Sequence, residues 1–158
     1  MRSRYFIIIH GLIAALLCLP LTATAQDGPL SGLIPLEGSE LETAFSGKTM
    51  DGIYKTPRER SGTHKFTESF NADGSTDYFE GPLVDKGEWL VRGRLICFRY
   101  SGSLSGGVSC FTVFQTGTCL YSYNPANIGR DGYPLNDNLW SAKTIIRGDI
   151  STCDDLSS

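Results

Sequence analysis

From Ile53 onward the chain is a succession of short segments rich in β-branched and aromatic residues, each followed by turn formers, and this pattern constrains the fold most. It predicts strands at about residues 52–56, 63–70, 75–80, 87–92, 94–100, 108–115, 118–123 and 139–147. Asp73-Gly74 is a strong hairpin signal, and Thr116-Gly117 and the Gly/Ser run at 101–107 mark two further reversals. Short strands at close spacing with few helices imply a mainly β fold. The expected form is a single antiparallel meander or a small closed β-barrel, closure being the economical way to leave no bare edge.

Before the strands, residues 26–38 are rich in Gly and Pro without a sustained period, as expected of a flexible lead-in. One short helix is expected next. Ser39 is a candidate N-cap with Glu42 three residues on, Leu41, Ala44 and Phe45 recur at helical spacing, and Gly47 is placed to end the turn. So short a helix cannot stand alone, and its apolar stripe must lie on a sheet or plug a barrel end.

The first 25 residues read as a signal peptide: Arg2 and Arg4, an apolar run, then Ala23-Thr24-Ala25. The apolar run contains His10, Gly11 and Pro20 and falls short of the roughly 20 clean apolar residues that a spanning helix needs. Cleavage after Ala25 is expected, leaving no transmembrane anchor, a secreted or periplasmic protein, and one β-rich domain over 39–158. Cys18 follows the bulky Leu17, where lipid attachment calls for a small residue, and leaves with the leader. Loss of Arg2 and Arg4 leaves 12 basic against 17 acidic residues, a net charge of about −5. Nucleic acid is excluded as a partner on this ground, because phosphate neutralisation calls for a basic stripe, which Arg92, Arg94 and Arg99 do not make.

Four cysteines remain, Cys97, Cys110, Cys119 and Cys153. An even number in an exported chain, without a Cys-x-x-Cys pair, points to two disulfides rather than a metal site. Three connectivities are possible. If the 101–107 turn centres near Ser103 and Leu104, Cys97 falls opposite Cys110 at a distance suited to a disulfide, while Cys119 would face Phe114. That register favours Cys97 with Cys110 and Cys119 with Cys153, the second bond tying down the C-terminal tail.

No catalytic constellation emerges. His64, the one histidine left after cleavage, shares a strand face with Phe66, Glu68 and Phe70, but four strand residues separate it from Glu68 by about 13 Å. Gly102-Ser103-Leu104-Ser105-Gly106 puts Leu where a nucleophile-elbow serine would stand. The stretch from Ser69 to Glu80 mimics a calcium loop, with oxygens at positions 1, 3, 5 and 9, Gly at 6 and Glu at 12. Its first position is Ser and its flanks alternate like strands, so a hairpin turned at Asp73-Gly74 is the expectation, with no metal or cofactor. Residues 124–138 form a long connection in which Arg130 and Tyr133 are candidate recognition residues.

In order, Leu41-Glu42-Thr43-Ala44-Phe45-Ser46-Gly47-Lys48-Thr49, Phe70-Asn71-Ala72-Asp73-Gly74-Ser75, Gly87-Glu88-Trp89-Leu90-Val91, Leu95-Ile96-Cys97-Phe98-Arg99-Tyr100 and Cys110-Phe111-Thr112-Val113 carry a resemblance. They resemble a family of small exported proteobacterial proteins classed only as a domain of unknown function. In that family a short helix and sGkT precede a dG hairpin, G-x-W-x-V, lC-x-x-y and a partnering cysteine. The resemblance covers about residues 41–123. It implies a β-rich fold and the pairing of Cys97 with Cys110, and it brings no activity or catalytic residue. More distantly the pattern is similar to lipocalin-like barrels and to periplasmic barrels that inhibit proteases or lysozymes.

The function expected from these features is that of a binding module, protein-binding or inhibitor-like, not an enzyme. A barrel carrying a small apolar ligand, an enzyme with an unrecognised site and a structural envelope protein are the alternatives.

Overall fold

The computed structural model describes residues 32–102, 106–154 and 156. The expected leader at 1–25, with His10 and Cys18, and the turn centre at Ser103 and Leu104 lie outside the described residues. The strands are β1 (Ile34–Pro35), β2 (Lys48–Tyr54), β3 (Lys65–Phe70), β4 (Ser75–Glu80), β5 (Leu83–Arg92), β6 (Leu95–Tyr100), β7 (Val108–Thr116), β8 (Cys119–Tyr123) and β9 (Trp140–Ile146). One α-helix, α1 (Ser39–Phe45), precedes β2. Strands β2 to β9 pair antiparallel in sequence order and β9 pairs back onto β2. The result is an eight-stranded up-and-down barrel, so the closed form of the two expected is the one adopted. Closure leaves these strands no open edge.

Period-2 alternation builds the wall. On β3 and β4, Phe66, Glu68, Phe70, Thr76, Tyr78 and Glu80 are buried, while Thr67, Ser69 and Asp77 between them are half-buried. The calcium-loop mimic is a hairpin: Gly74 turns with φ +86° and Asp73 Oδ1 accepts from the Ser75 N–H at 2.9 Å. At the end where β2 begins, α1 buries Leu41 and Phe45 against Met50, Phe70, Trp89, Ile96, Phe98, Val113 and Leu120. The helix thus plugs that end. Its start differs from expectation, since Gly38, at φ +51°, holds the N-cap position and Ser39 is the first helical residue. Among the described residues no side chain caps the helix, and the Glu40 carboxylate accepts instead from the Glu37 N–H, one residue before the cap, at 3.3 Å. The chain is already anchored upstream of α1, because Ile34 and Pro35 pair with Gln115 and Phe114 and Leu36 is buried.

Both disulfides are formed. Cys97 and Cys110 are direct cross-strand partners on β6 and β7, and Cys119 on β8 bonds Cys153 of the C-terminal tail. One register differs from expectation. Cys119 faces Thr116, and Phe114 faces Tyr121, because the β7–β8 turn is confined to Gly117 and Thr118, with Gly117 at φ +56°. Residues 124–138 are not structureless either. They contain the 3-10 turn Pro125–Asn127, an Ile128–Pro134 bridge and the start of the 3-10 turn Asp137–Leu139.

Candidate functional site

Beyond the packed face of α1 the barrel is not filled, and Phe45 of the helix and Phe70 of β3 border the open space. A cavity of about 170 Å³ lies among Tyr54, Phe66, Tyr78, Phe98, Tyr100 and Phe111, with Arg58 and Arg60 of the β2–β3 loop at its rim and Ala142, Ser122 and Ser109 along its other wall. A designed apolar cavity of about 150 Å³ takes up benzene, so this volume suits a single-ring molecule.

Two glycines shape the aromatic lining. Gly52 lies between Phe66 and Thr144 in the β3–β2–β9 register, and a Cβ there would stand 2.3 Å from Phe66 Cζ. Gly87 faces Tyr100, and a Cβ would stand 2.9 Å from Tyr100 Cδ1 and 2.6 Å from the Arg99 carbonyl oxygen. Each ring lies flat over the backbone of its glycine, which is what keeps space inside. Phe66 then stacks on Tyr54 with centroids 4.5 Å apart and on Tyr78 at 5.8 Å, and Tyr78 meets Tyr100 at 5.3 Å.

Two carboxylates are built into this wall. Glu68 is 4% exposed. Its Oε1 accepts from the Tyr100 hydroxyl at 2.8 Å and the Thr76 hydroxyl at 2.9 Å. Burial pushes its acidity up to about pH 7, against the opposing pull of these two hydrogen bonds. No donor among the described residues meets Oε2. Glu80 is 0% exposed and differs in being fully satisfied. Arg60 Nη2 donates to its Oε2 at 2.7 Å, and Ser61 and Tyr78 hydroxyls also donate to it. Burial would raise its pKa, but the hydrogen bonds and the Arg60 charge outweigh burial and hold it below the ordinary value. Tyr54 and Tyr78 share a hydroxyl–hydroxyl hydrogen bond of 2.8 Å, and burial raises the pKa of Tyr54, Tyr78 and Tyr100. On β9, Thr144 lines the same cavity and its buried Oγ1 has no hydrogen-bond partner among the described residues.

The residues singled out from sequence fall elsewhere. His64 is exposed at the start of the β3 hairpin while Glu68 points inward. Arg130 is exposed, but Tyr133 is half-buried and packs on Phe114 of the outer β7 face, centroids 5.9 Å apart. The Gly132 carbonyl accepts from Arg94 and the Asp137 carbonyl from Tyr123, so this connection lies along the outside of the barrel, not over the cavity. Sequence reasoning passed over Glu68 and Glu80 as site residues. Each stands in the buried phase of its strand, Glu68 between Phe66 and Phe70 and Glu80 after Thr76 and Tyr78, and a carboxylate in that phase is the signal that marks them.

Fold and site together define a class, the small lipocalin-like antiparallel barrel with an internal aromatic cavity and a buried carboxylate. Compared with family models, curated proteins and solved structures, the chain gives no significant match.

Proposed function

We propose that this protein is an exported binding module that holds a small single-ring molecule in the aromatic cavity of the barrel. The observation that carries this reading is the unfilled cavity: eight aromatic side chains, Phe45 of α1 among them, line about 170 Å³ of space that the packing around the helix leaves open. Export is supported by the leader-like first 25 residues and by the two disulfides. Sequence left protein binding and small-ligand carriage both open. The cavity favours carriage, and the packing of Tyr133 onto Phe114 takes one of the two candidate recognition residues out of the exposed surface.

Benzyl alcohol, followed by ligand-observed NMR, tests the reading. Saturable binding is expected to the native protein and not to Ala142→Phe, which fills the cavity; Ser122→Leu serves the same purpose should the first variant fail to fold. Absence of binding to the native protein, or unchanged binding to both folded variants, would overturn the proposal. Glu68 favours a second reading, acid–base catalysis on the bound molecule, because its acidity lies near neutral inside a cavity. Turnover of the bound molecule in the native protein and its loss in Glu68→Gln would be the mark of that chemistry.

A further inference from the structure

We infer that the cavity is a site for a small organic cation, an alkyl- or arylammonium, with Glu68 as counter-ion and the Phe66, Tyr78 and Tyr100 rings as walls. This rests on the small-molecule reading above and names its ligand class.

The polar groups of the cavity point this way. Glu68 Oε1 is saturated by Tyr100 and Thr76, whereas Oε2 has no donor among the described residues although the side chain is 4% exposed. Thr144, at 5% exposed, leaves Oγ1 in the same cavity without a partner among the described residues. The buried, unmatched Thr144 hydroxyl is costly, and an ammonium group, which carries only donors, complements it together with the carboxylate oxygen that no described residue meets. The aromatic faces complete the match, because ring quadrupoles attract cations. On Tyr54 that place is already taken, with the Arg58 guanidinium 3.9 Å from the ring centre and Phe66 stacked at 4.5 Å, so the ligand is left the other rings of the cavity.

Other ligand charges fit less well. A metal ion asks for several oxygen ligands in place of its water, and most of this lining is carbon. An anion would have to rely on rim arginines. Arg60 is engaged by Glu80, Arg58 lies in an exposed loop, and an anion inside would face Glu68. A neutral molecule leaves the buried carboxylate without a counter-charge, the condition that drives its acidity toward neutral.

The test is titration of the full mature protein with benzylammonium, benzyl alcohol and benzoate, three probes of similar size and different charge. Above neutral pH benzylammonium is expected to bind at least about tenfold more tightly than benzyl alcohol. Glu68→Gln, which keeps shape and accepts the same hydrogen bonds through Oε1, is expected to erase that preference, bringing the two affinities within about twofold of each other. On the native protein, benzylammonium affinity should rise from pH 4.5 to above about 7 while benzyl alcohol stays level. The titratable and charged groups around Glu68 are Tyr54, Tyr78 and Tyr100, held above their ordinary range, Glu80, held below it, and the Arg58 and Arg60 guanidiniums. Of these groups and Glu68, only Glu68 changes charge in that window. Equal affinity for benzylammonium and benzyl alcohol, benzoate as the tightest ligand, or a preference that persists in Glu68→Gln would overturn the inference. Failure of benzyl alcohol as well would instead bring down the small-molecule reading on which it stands. Should Glu68→Gln not fold, the pH profile of the native protein decides alone.

Discussion

Replacing Glu68 by Gln should stabilise the protein above neutral pH and do little in mild acid. In the folded chain the Glu68 proton is held up to about pH 7 against an ordinary value of 4.5, chiefly because burial disfavours the charged carboxylate. Between those two values the unfolded chain has lost this proton and the folded chain keeps it, so stability falls as pH rises. The contribution is fully present below 4.5 and is gone above about 7. At about 1.4 kcal/mol per pH unit the loss amounts to about 3 kcal/mol, an order-of-magnitude figure for a side chain this deeply buried. Gln cannot ionise, keeps an oxygen for the Tyr100 and Thr76 hydroxyls, and escapes the loss. Urea unfolding of both proteins, followed by tryptophan fluorescence between about pH 4 and about pH 8.5, gives the difference directly. Subtracting one curve from the other cancels Asp51 and Glu80. Both are held below the ordinary range, and they act in the opposite sense, losing stability as pH falls. The Gln variant should gain about 3 kcal/mol relative to native across the window. A difference that stays flat within about 0.5 kcal/mol would refute a buried carboxylate kept neutral by its surroundings.

Gly52→Ala places a Cβ 2.3 Å from Phe66 Cζ and is expected to cost about 1–3 kcal/mol in thermal unfolding and to weaken benzyl alcohol binding, since the ring must move into the cavity. Gly87→Ala should cost more, because its nearest obstacle, 2.6 Å away, is the Arg99 backbone oxygen and not a ring that can tilt; the reverse order would refute the packing argument. Arg60→Ala removes the cation from a carboxylate that is 0% exposed, and a loss of about 2–3 kcal/mol is expected at neutral pH, discounted because the Arg60 side chain is 40% exposed. That loss should fade below pH 4.5, where Glu80 protonates in the unfolded chain. Paired Cys→Ala replacement at 97 and 110 should cost about 3 kcal/mol and at 119 and 153 somewhat more, since the second bond closes a separation of 34 residues against 13. Denaturant midpoints of the two double variants, measured without reductant, check the order.

Local signals account for most of the barrel. The Asp73-Gly74 turn and the Cys97–Cys110 register depend on residues close in sequence and are placed where expected, whereas β2 runs over 48–54 against an expected 52–56 and β5 begins at Leu83 against an expected 87. The errors lie at ends. Gly38 displaces Ser39 as N-cap, and the tight turn at Gly117 sets Cys119 opposite Thr116, one residue's choice of turn moving a whole register.

By itself, then, the sequence determined the strands in outline, their alternation and the β class, and favoured the observed cysteine pairing among three, because those follow from period, turn chemistry and spacing along the chain. Only the tertiary structure decided that the meander closes by pairing β9 with β2, that α1 fills one end and leaves the other empty, and that Glu68, Tyr100, Thr76 and Thr144 from four different strands share one interior. The physical reason is that alternation tells which residues share a face of one strand, but not how far the opposite walls stand apart. That distance decides whether a buried carboxylate meets a partner or a cavity.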